Sequence, residues 1–267
     1  MGVLLGNGEG LMVWQSGWMC QPCPLSRVDL VAADGNRVTA VNNSAHELWH
    51  AGQVLTCDRD IEVLRLWKEY ALLLSSGTDC LSAASPEGWC VTAKAGLYPQ
   101  DLWIEDDLAL VCGGLDGRLK LLSLPELYLL EEYPVPGLPE RVCVYDGAVY
   151  LLSFLPEEPV ETALLRLELQ RRVCEEVIRF NGLPGAICTG CGGIWAAAGN
   201  GLYHYPLGMS VADVHFEGFG LIRHMDAQGQ RVLVTDPLEG LCAMAVHGKE
   251  PTLHVLYRGD VGQGCQT

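Results

Sequence analysis

Basic residues are few in this chain of 267 residues: 17 Lys+Arg stand against 33 Asp+Glu, a formal net charge of −16. That balance repels nucleic-acid phosphates overall and gives little attraction to an anionic membrane surface. No nucleic acid and no membrane is therefore expected among its partners, and the plainest use of the charge is solubility.

Long apolar runs are missing too. No stretch approaches the ~18 apolar residues of a membrane span. The opening "MGVLLGNGEGLMVW" is broken by Gly and Asn and has no basic segment before it, so it does not read as a secretory signal. A cytoplasmic location is expected. Capped segments with sustained 3.6-residue periodicity are absent; the nearest, "EVLRLWKEYALLL", divides more naturally into two strands. There is no G-x-S-x-G, P-loop or dinucleotide fingerprint. "GNGEG" at 6–10 reads as a hairpin turn, because no helix follows to cradle a phosphate.

What is present is material for a core. Apolar residues make up 49 % and charged residues only 19 %, a composition that excludes disorder. Twelve cysteines in a chain without an evident signal read as reduced thiols. Several, such as Cys112, Cys143 and Cys242, sit inside apolar runs and would pack as small hydrophobes.

A phrase recurs along the chain. "GLYPQDLWIEDDLALVCGG" from Gly96, "GLPERVCVYDGAVYLLSF" from Gly137 and "GLPGAICTGCGGIWAAAGNGLYHYPL" from Gly182 share one order: a Gly-Leu-(x)-Pro turn, an alternating run, a turn, an apolar run. "RVDLVAADGNRVTAV", "DIEVLRLWKEYALLL" and "LIRHMDAQGQRVLVTD" repeat it without the proline. First runs begin near 27, 60, 101, 141, 186 and 221. Periods of this size with short strands predict propeller blades of four antiparallel strands. In the third unit the predicted strands are Leu102–Glu105, Leu108–Val111, Arg118–Leu122 and Tyr128–Glu132, parted in places by Asp-Gly turns. The innermost runs look apolar almost throughout. The strands around "GNGEG" match the second and third strands of a further blade. Its inner strand would come from the C-terminal tail near Val261, closing a ring of seven and removing open edges. Six blades is the alternative if the ends pair differently. The fold class is thus all-β, a single propeller domain over 1–267.

The Gly-x-(x)-Pro turn, the alternating strand, the Asp-Gly-type turn and "VTAVNN" at 38–43 resemble the YVTN-type repeat of YncE-like seven-bladed propellers, over about 27–258. Three of the six units keep the proline, and the tyrosine is absent. Some propellers of related appearance are lactonases, which the resemblance makes an alternative. Those acting on phosphorylated sugars would need a cationic pocket, and the sequence shows little sign of one.

His46-Glu47-Leu48-Trp49-His50 has the letters of a zinc-peptidase motif. On a helix His46 and His50 would share a face and a metal, with Glu47 as general base. On a strand they lie ~13 Å apart, too far for one zinc. The repeat assigns this stretch to the third strand of a blade. The pairs Cys20/Cys23 and Cys188/Cys191 are predicted at opposite ends of the channel, whereas Cys20, Cys23, Cys57 and Cys265 fall near the ring closure and form a second metal alternative. No metal and no cofactor is favoured, and His204, His215, His224, His247 and His254 read as scattered.

One channel mouth is the natural site for function. Residues following the turns into the inner strands should ring it: Arg27, Asp60, Asp101, Glu140, Arg141, Arg223 and His224. The expectation is a non-enzymatic module binding a protein partner or a small polar ligand at a propeller face. The alternative is a hydrolase, either lactonase-like or a zinc enzyme at His46/Glu47/His50.

Overall fold

The computed structural model describes residues 3–14, 18–35, 37–209, 211–259, 261 and 265–266. Seven four-stranded antiparallel sheets form a ring. Blade 1 holds β1 (Val3–Asn7), β2 (Gly10–Trp14) and β3 (Trp18–Gln21). Blade 2 is β4 (Leu30–Asp34), β5 (Arg37–Asn42), β6 (Glu47–His50) and β7 (Gln53–Thr56). Blade 3 is β8 (Val63–Trp67), β9 (Tyr70–Ser75), β10 (Cys80–Ser85) and β11 (Gly88–Lys94). Blade 4 is β12 (Asp101–Glu105), β13 (Leu108–Cys112), β14 (Arg118–Ser123) and β15 (Leu129–Pro134). Blade 5 is β16 (Leu138–Tyr145), β17 (Ala148–Leu155), β18 (Glu161–Glu168) and β19 (Val173–Asn181). Blade 6 is β20 (Pro184–Gly190), β21 (Gly193–Ala198), β22 (Gly201–Pro206) and β23 (Val214–Glu217). Blade 7 is β24 (His224–Gln228), β25 (Arg231–Asp236), β26 (Leu241–Val246) and β27 (Thr252–Arg258). The innermost strand of blade 1 is β28 (Cys265–Gln266), paired antiparallel with β1 through Leu4↔Gln266 and Leu5↔Cys265. Closure by the chain ends, four residues beyond Val261, is the predicted arrangement. One 3₁₀ turn, Gly114–Asp116, is the only helical element among the described residues, and none of their helices is long and apolar enough to cross a membrane.

The turns explain the repeat. Inner and second strands join through tight hairpins. Asp146-Gly147 (φ 51° and 73°) and Cys191-Gly192 (φ 57° and 83°) are two-residue loops in the left-handed region that such hairpins require. The glycine of Gly-Leu-Pro is needed for two reasons. Gly137 sits at φ 73°, and a Cβ there would lie 2.6 Å from the Phe154 carbonyl. The next strand pair passes too close for any side chain.

Packing accounts for the ring. Seven apolar clusters among the described residues each join two neighbouring blades. The second and third strands supply most of them: every residue of β21 (GIWAAA) and β10 (CLSAAS) is buried. Burial therefore peaks one strand further out than the sequence suggests. Inner strands such as β8 and β12 are only partly buried, because residues on them line the channel.

Among the described residues the seam between blades 7 and 1 has the fewest buried apolar members. Its buried described members are Leu5, Leu233, Cys242 and Val261, against fourteen residues between blades 6 and 7. Leu5 is fully buried there. Truncating such a side chain costs about 2–5 kcal/mol, or roughly 5–15 °C in melting temperature at this chain size. Leu5→Ala is expected to show that loss in a thermal scan followed by far-ultraviolet circular dichroism. An unchanged midpoint would mean that blade 1 does not seal the ring.

Candidate functional site: the channel mouth

Inner strands all start at one face of the ring, and their first residues surround a cavity of about 330 Å³. It continues into a second chamber of about 320 Å³ that shares Val31, Leu64, Arg65, Ile187, His224 and Met225 with it. Polar residues on the mouth's wall are Glu62, Arg65, Tyr98, Gln100, Asp101, Arg141, Arg223 and His224.

Of the residues named from sequence, Asp101, Arg141, Arg223 and His224 lie on this wall. Arg27 and Asp60 do not. Strands β4 and β8 begin at Leu30 and Val63, three residues later than the repeat suggested, which leaves both on the approaching loops. Arg27 pairs with Asp29 at 2.5 Å, and Asp60 is exposed 3.6 Å from His46. The residue that sequence reasoning missed is Arg65, two positions into β8 and pointing into the channel. The expectation of little cationic character is corrected: three arginines from blades 3, 5 and 7 converge here.

The acids at the mouth are largely committed to the framework. Asp101 is buried, and its carboxylate accepts N–H groups from Leu102 at 2.9 Å and Val142 at 3.1 Å. Arg65 donates to the same carboxylate at 3.3 Å, so Asp101 ties blades 3, 4 and 5 together. Glu62 accepts the Ser76 N–H at 2.8 Å. Burial raises its pKa, partly offset by that bond.

Arg141 lines the mouth, whereas Glu140, also expected there, is not among its lining residues: a β-bulge separates the two, and Glu140 stays within electrostatic range of Arg141 and Arg223. The β16–β17 register runs Pro139↔Ser153 and then Arg141↔Leu152, leaving Glu140 as the extra residue. Arg141 donates to the Glu140 carbonyl at 2.7 Å. Among the described residues the Arg223 guanidinium has no hydrogen-bond or ion-pair partner. It is exposed, but into a concavity. Partial loss of hydration and then the charge of Arg141 lower its pKa from the ordinary arginine value, with Glu140 opposing. The Glu140 carboxylate also lacks a hydrogen bond among the described residues. Its burial raises its pKa, against the attraction of Arg141 and Arg223.

The His46/His50 metal alternative is excluded by geometry. His46 ends the turn before β6, with φ 54°, and His50 closes the strand. His50 is buried, its Nδ1 2.8 Å from the Thr39 hydroxyl and its Nε2 2.9 Å from the Glu69 carbonyl. The carbonyl requires Nε2–H, so Nδ1 accepts from Thr39 and the ring is fully used as a neutral tautomer. Nor does the cysteine alternative assemble. Among the described residues, one group of three or more His, Cys, Asp or Glu side chains places its donor atoms close enough for a metal, and Cys20, Cys23 and Cys57 are not in it. The Cys265 side chain lies outside the described residues. Cys57 is buried, which pushes its thiol up to about 11, assisted by Asp58.

The raised pKa of Glu140 carries a stability consequence. The fold favours its neutral acid, a preference fully expressed below the ordinary value of 4.5 and lost as pH rises through the raised one. Glu140→Gln is therefore expected to melt higher than the parent at pH 7, with the gap closing as pH falls through the carboxylate range. A lower midpoint at pH 7 would show that the two arginines hold the carboxylate more strongly than burial penalises it.

No protein-family model matches the chain, and no curated protein is similar to it at a significant level. Solved structures share its fold. A protein from Lactobacillus plantarum superposes with TM-score 0.77 at 10 % identity, covering 99 % of both chains. A candidate 6-phosphogluconolactonase from Bacteroides fragilis gives TM-score 0.77 at 9 % identity, over 99 % of this chain and 96 % of that one. Virginiamycin B lyase from Staphylococcus aureus, solved with quinupristin, gives TM-score 0.67 at 11 % identity, over 88 % and 87 %. At such identities the likeness speaks for the seven-bladed fold alone.

Proposed function

We propose that the protein is a cytoplasmic ligand-binding propeller of the YVTN/YncE-like kind that holds a small carboxylate- or phosphate-bearing molecule at the channel mouth. The observation that carries this reading is the Arg223 guanidinium, without a hydrogen-bond or ion-pair partner among the described residues and set within electrostatic range of Arg141 over a concave polar cavity. An arginine with five donors and no acceptor is suited to bidentate capture of such an anion. The acids nearby do not cancel it fully, because Asp101 and Glu62 are bonded to backbone N–H groups. The eleven described cysteines are free thiols, which suits a reducing compartment.

A hydrolase is the second reading, favoured by Glu140. A half-buried carboxylate with a raised pKa beside two arginines resembles a general base next to an anion anchor. The fold neighbour described as a candidate 6-phosphogluconolactonase adds to this reading.

Calorimetric titration with inorganic phosphate, citrate and 6-phosphogluconate separates the cases. Binding of at least one anion, weakened about tenfold or more in Arg223→Ala, partly kept in Arg223→Lys and reduced by salt, is the expected result. Absence of binding by all three, or binding untouched in Arg223→Ala, overturns the site. Turnover of 6-phosphogluconolactone that is lost in Glu140→Gln, with anion binding kept, would establish the hydrolase.

A further inference from the structure

The face opposite the mouth carries a second constellation. His204 lies on β22, Asp213 immediately precedes β23, and His247 immediately follows β26 of the next blade. The backbone sets them side by side: Asp213 N–H donates to the His204 carbonyl at 3.1 Å, and His247 N–H to that of Gln230 at 2.8 Å. His204 Nδ1 is 2.6 Å from Asp213 Oδ1, and His247 Nε2 is 3.1 Å from Asp213 Oδ2. One donor atom from each residue lies within 4.8 Å of the other two. Trp195 backs both imidazoles, with ring centroids 4.9 Å from His204 and 6.3 Å from His247.

The other nitrogen of His204 is informative. Nε2 lies 3.2 Å from the Gly190 carbonyl, which can only accept, so Nε2 carries a proton. Nδ1 then faces a carboxylate that also only accepts. A bare lone pair against a carboxylate is repulsive, so a cation belongs between them: a proton or a metal ion. A histidine that donates one ring N–H to a backbone carbonyl and offers the other nitrogen is the usual orientation of a metal ligand.

We propose that His204, Asp213 and His247 bind one divalent transition-metal ion of the zinc class, stapling blade 6 to blade 7. Two imidazole nitrogens and a carboxylate oxygen are the donor set this class prefers over magnesium or calcium. Ligands held ~2.0–2.1 Å from a tetrahedral ion stand about 3.4 Å apart, so modest side-chain rotations close the group. Three protein ligands leave a fourth position for water. His204 is buried while Asp213 and His247 are part-exposed, which gives the ion a route in from solvent. The site shares no residue with the channel mouth.

Cobalt(II) titration of chelator-treated protein, followed by visible absorption, is the test, because it separates these ligands from the many thiols. One equivalent is expected to bind, giving ligand-field bands without thiolate charge transfer, to be displaced by zinc, and to raise the melting temperature. His247→Gln is expected to weaken binding a hundredfold or more. That variant changes a part-exposed ring and spares the fully buried His204, so the test survives if His204→Gln fails to fold. A thiolate band, binding unchanged in His247→Gln, or a ¹⁵N spectrum showing His204 still doubly protonated with zinc in excess would overturn the site. The last result would assign the position to a proton.

Discussion

The ring depends on the pairing of its two ends. Six of the seven blade interfaces follow from chain connectivity, since each blade leads directly into the next. The seventh depends on β28 adding to β1, through two residue pairs among the described residues. Each blade is apolar on both faces and needs a neighbour on both sides. Without closure, Leu5 and Leu233 would face water, at about 1.5–3 kcal/mol for each such side chain. The mouth depends on the same pairing. Arg65, Arg141 and Arg223 come from blades 3, 5 and 7, and only a closed ring brings residues from alternate blades to one cavity.

A chain of net charge −16 can still form a cationic mouth, because charge is counted locally. The fold spends Asp101 on two backbone N–H groups and Arg65, and Glu62 on Ser76. Each carboxylate thereby holds the inner strands in place and is less available to the other arginines. Among the described residues the Arg223 guanidinium is left without a hydrogen-bond or ion-pair partner. The bulge at Glu140 adds a carboxyl whose ionisation burial opposes, so a proton there would increase the positive character of the mouth.

The architecture was legible because it is written several times over. Strand runs, hairpin turns and the Gly-Leu-Pro entries fall at nearly the predicted places; β12 begins at Asp101, one residue before the predicted Leu102. Other starts differ by up to three residues, with the proline or without it: β16 begins at Leu138, ahead of the expected Arg141. Blades 2 and 3 begin three residues later than the phrase suggested, so Arg27 and Asp60 were placed on the mouth and Arg65 was passed over. Its signal was available: aligning "VLRLW" with "DLWIE" puts Arg65 two residues into an inner strand, beside Asp101 of the next blade. Burial was misjudged for a different reason. Hydropathy reports how apolar a strand is, but only the ring says that the innermost strand has a wet face.

The histidines show where a linear reading has to stop. His46 and His50 drew attention because four residues separate them, a spacing that matters only on a helix. On one strand of a blade, side chains at that spacing splay apart along the sheet. A ligand group in a propeller must instead be gathered across strands and across the seam between blades. His204 and Asp213 meet across β22 and β23, and His247 arrives from blade 7, 43 residues further along. Nothing in the local sequence of any of the three marks them, because their proximity is a property of the blade-to-blade register. In this architecture, a motif compact in sequence argues for a single strand, and convergent side chains are to be sought one period apart.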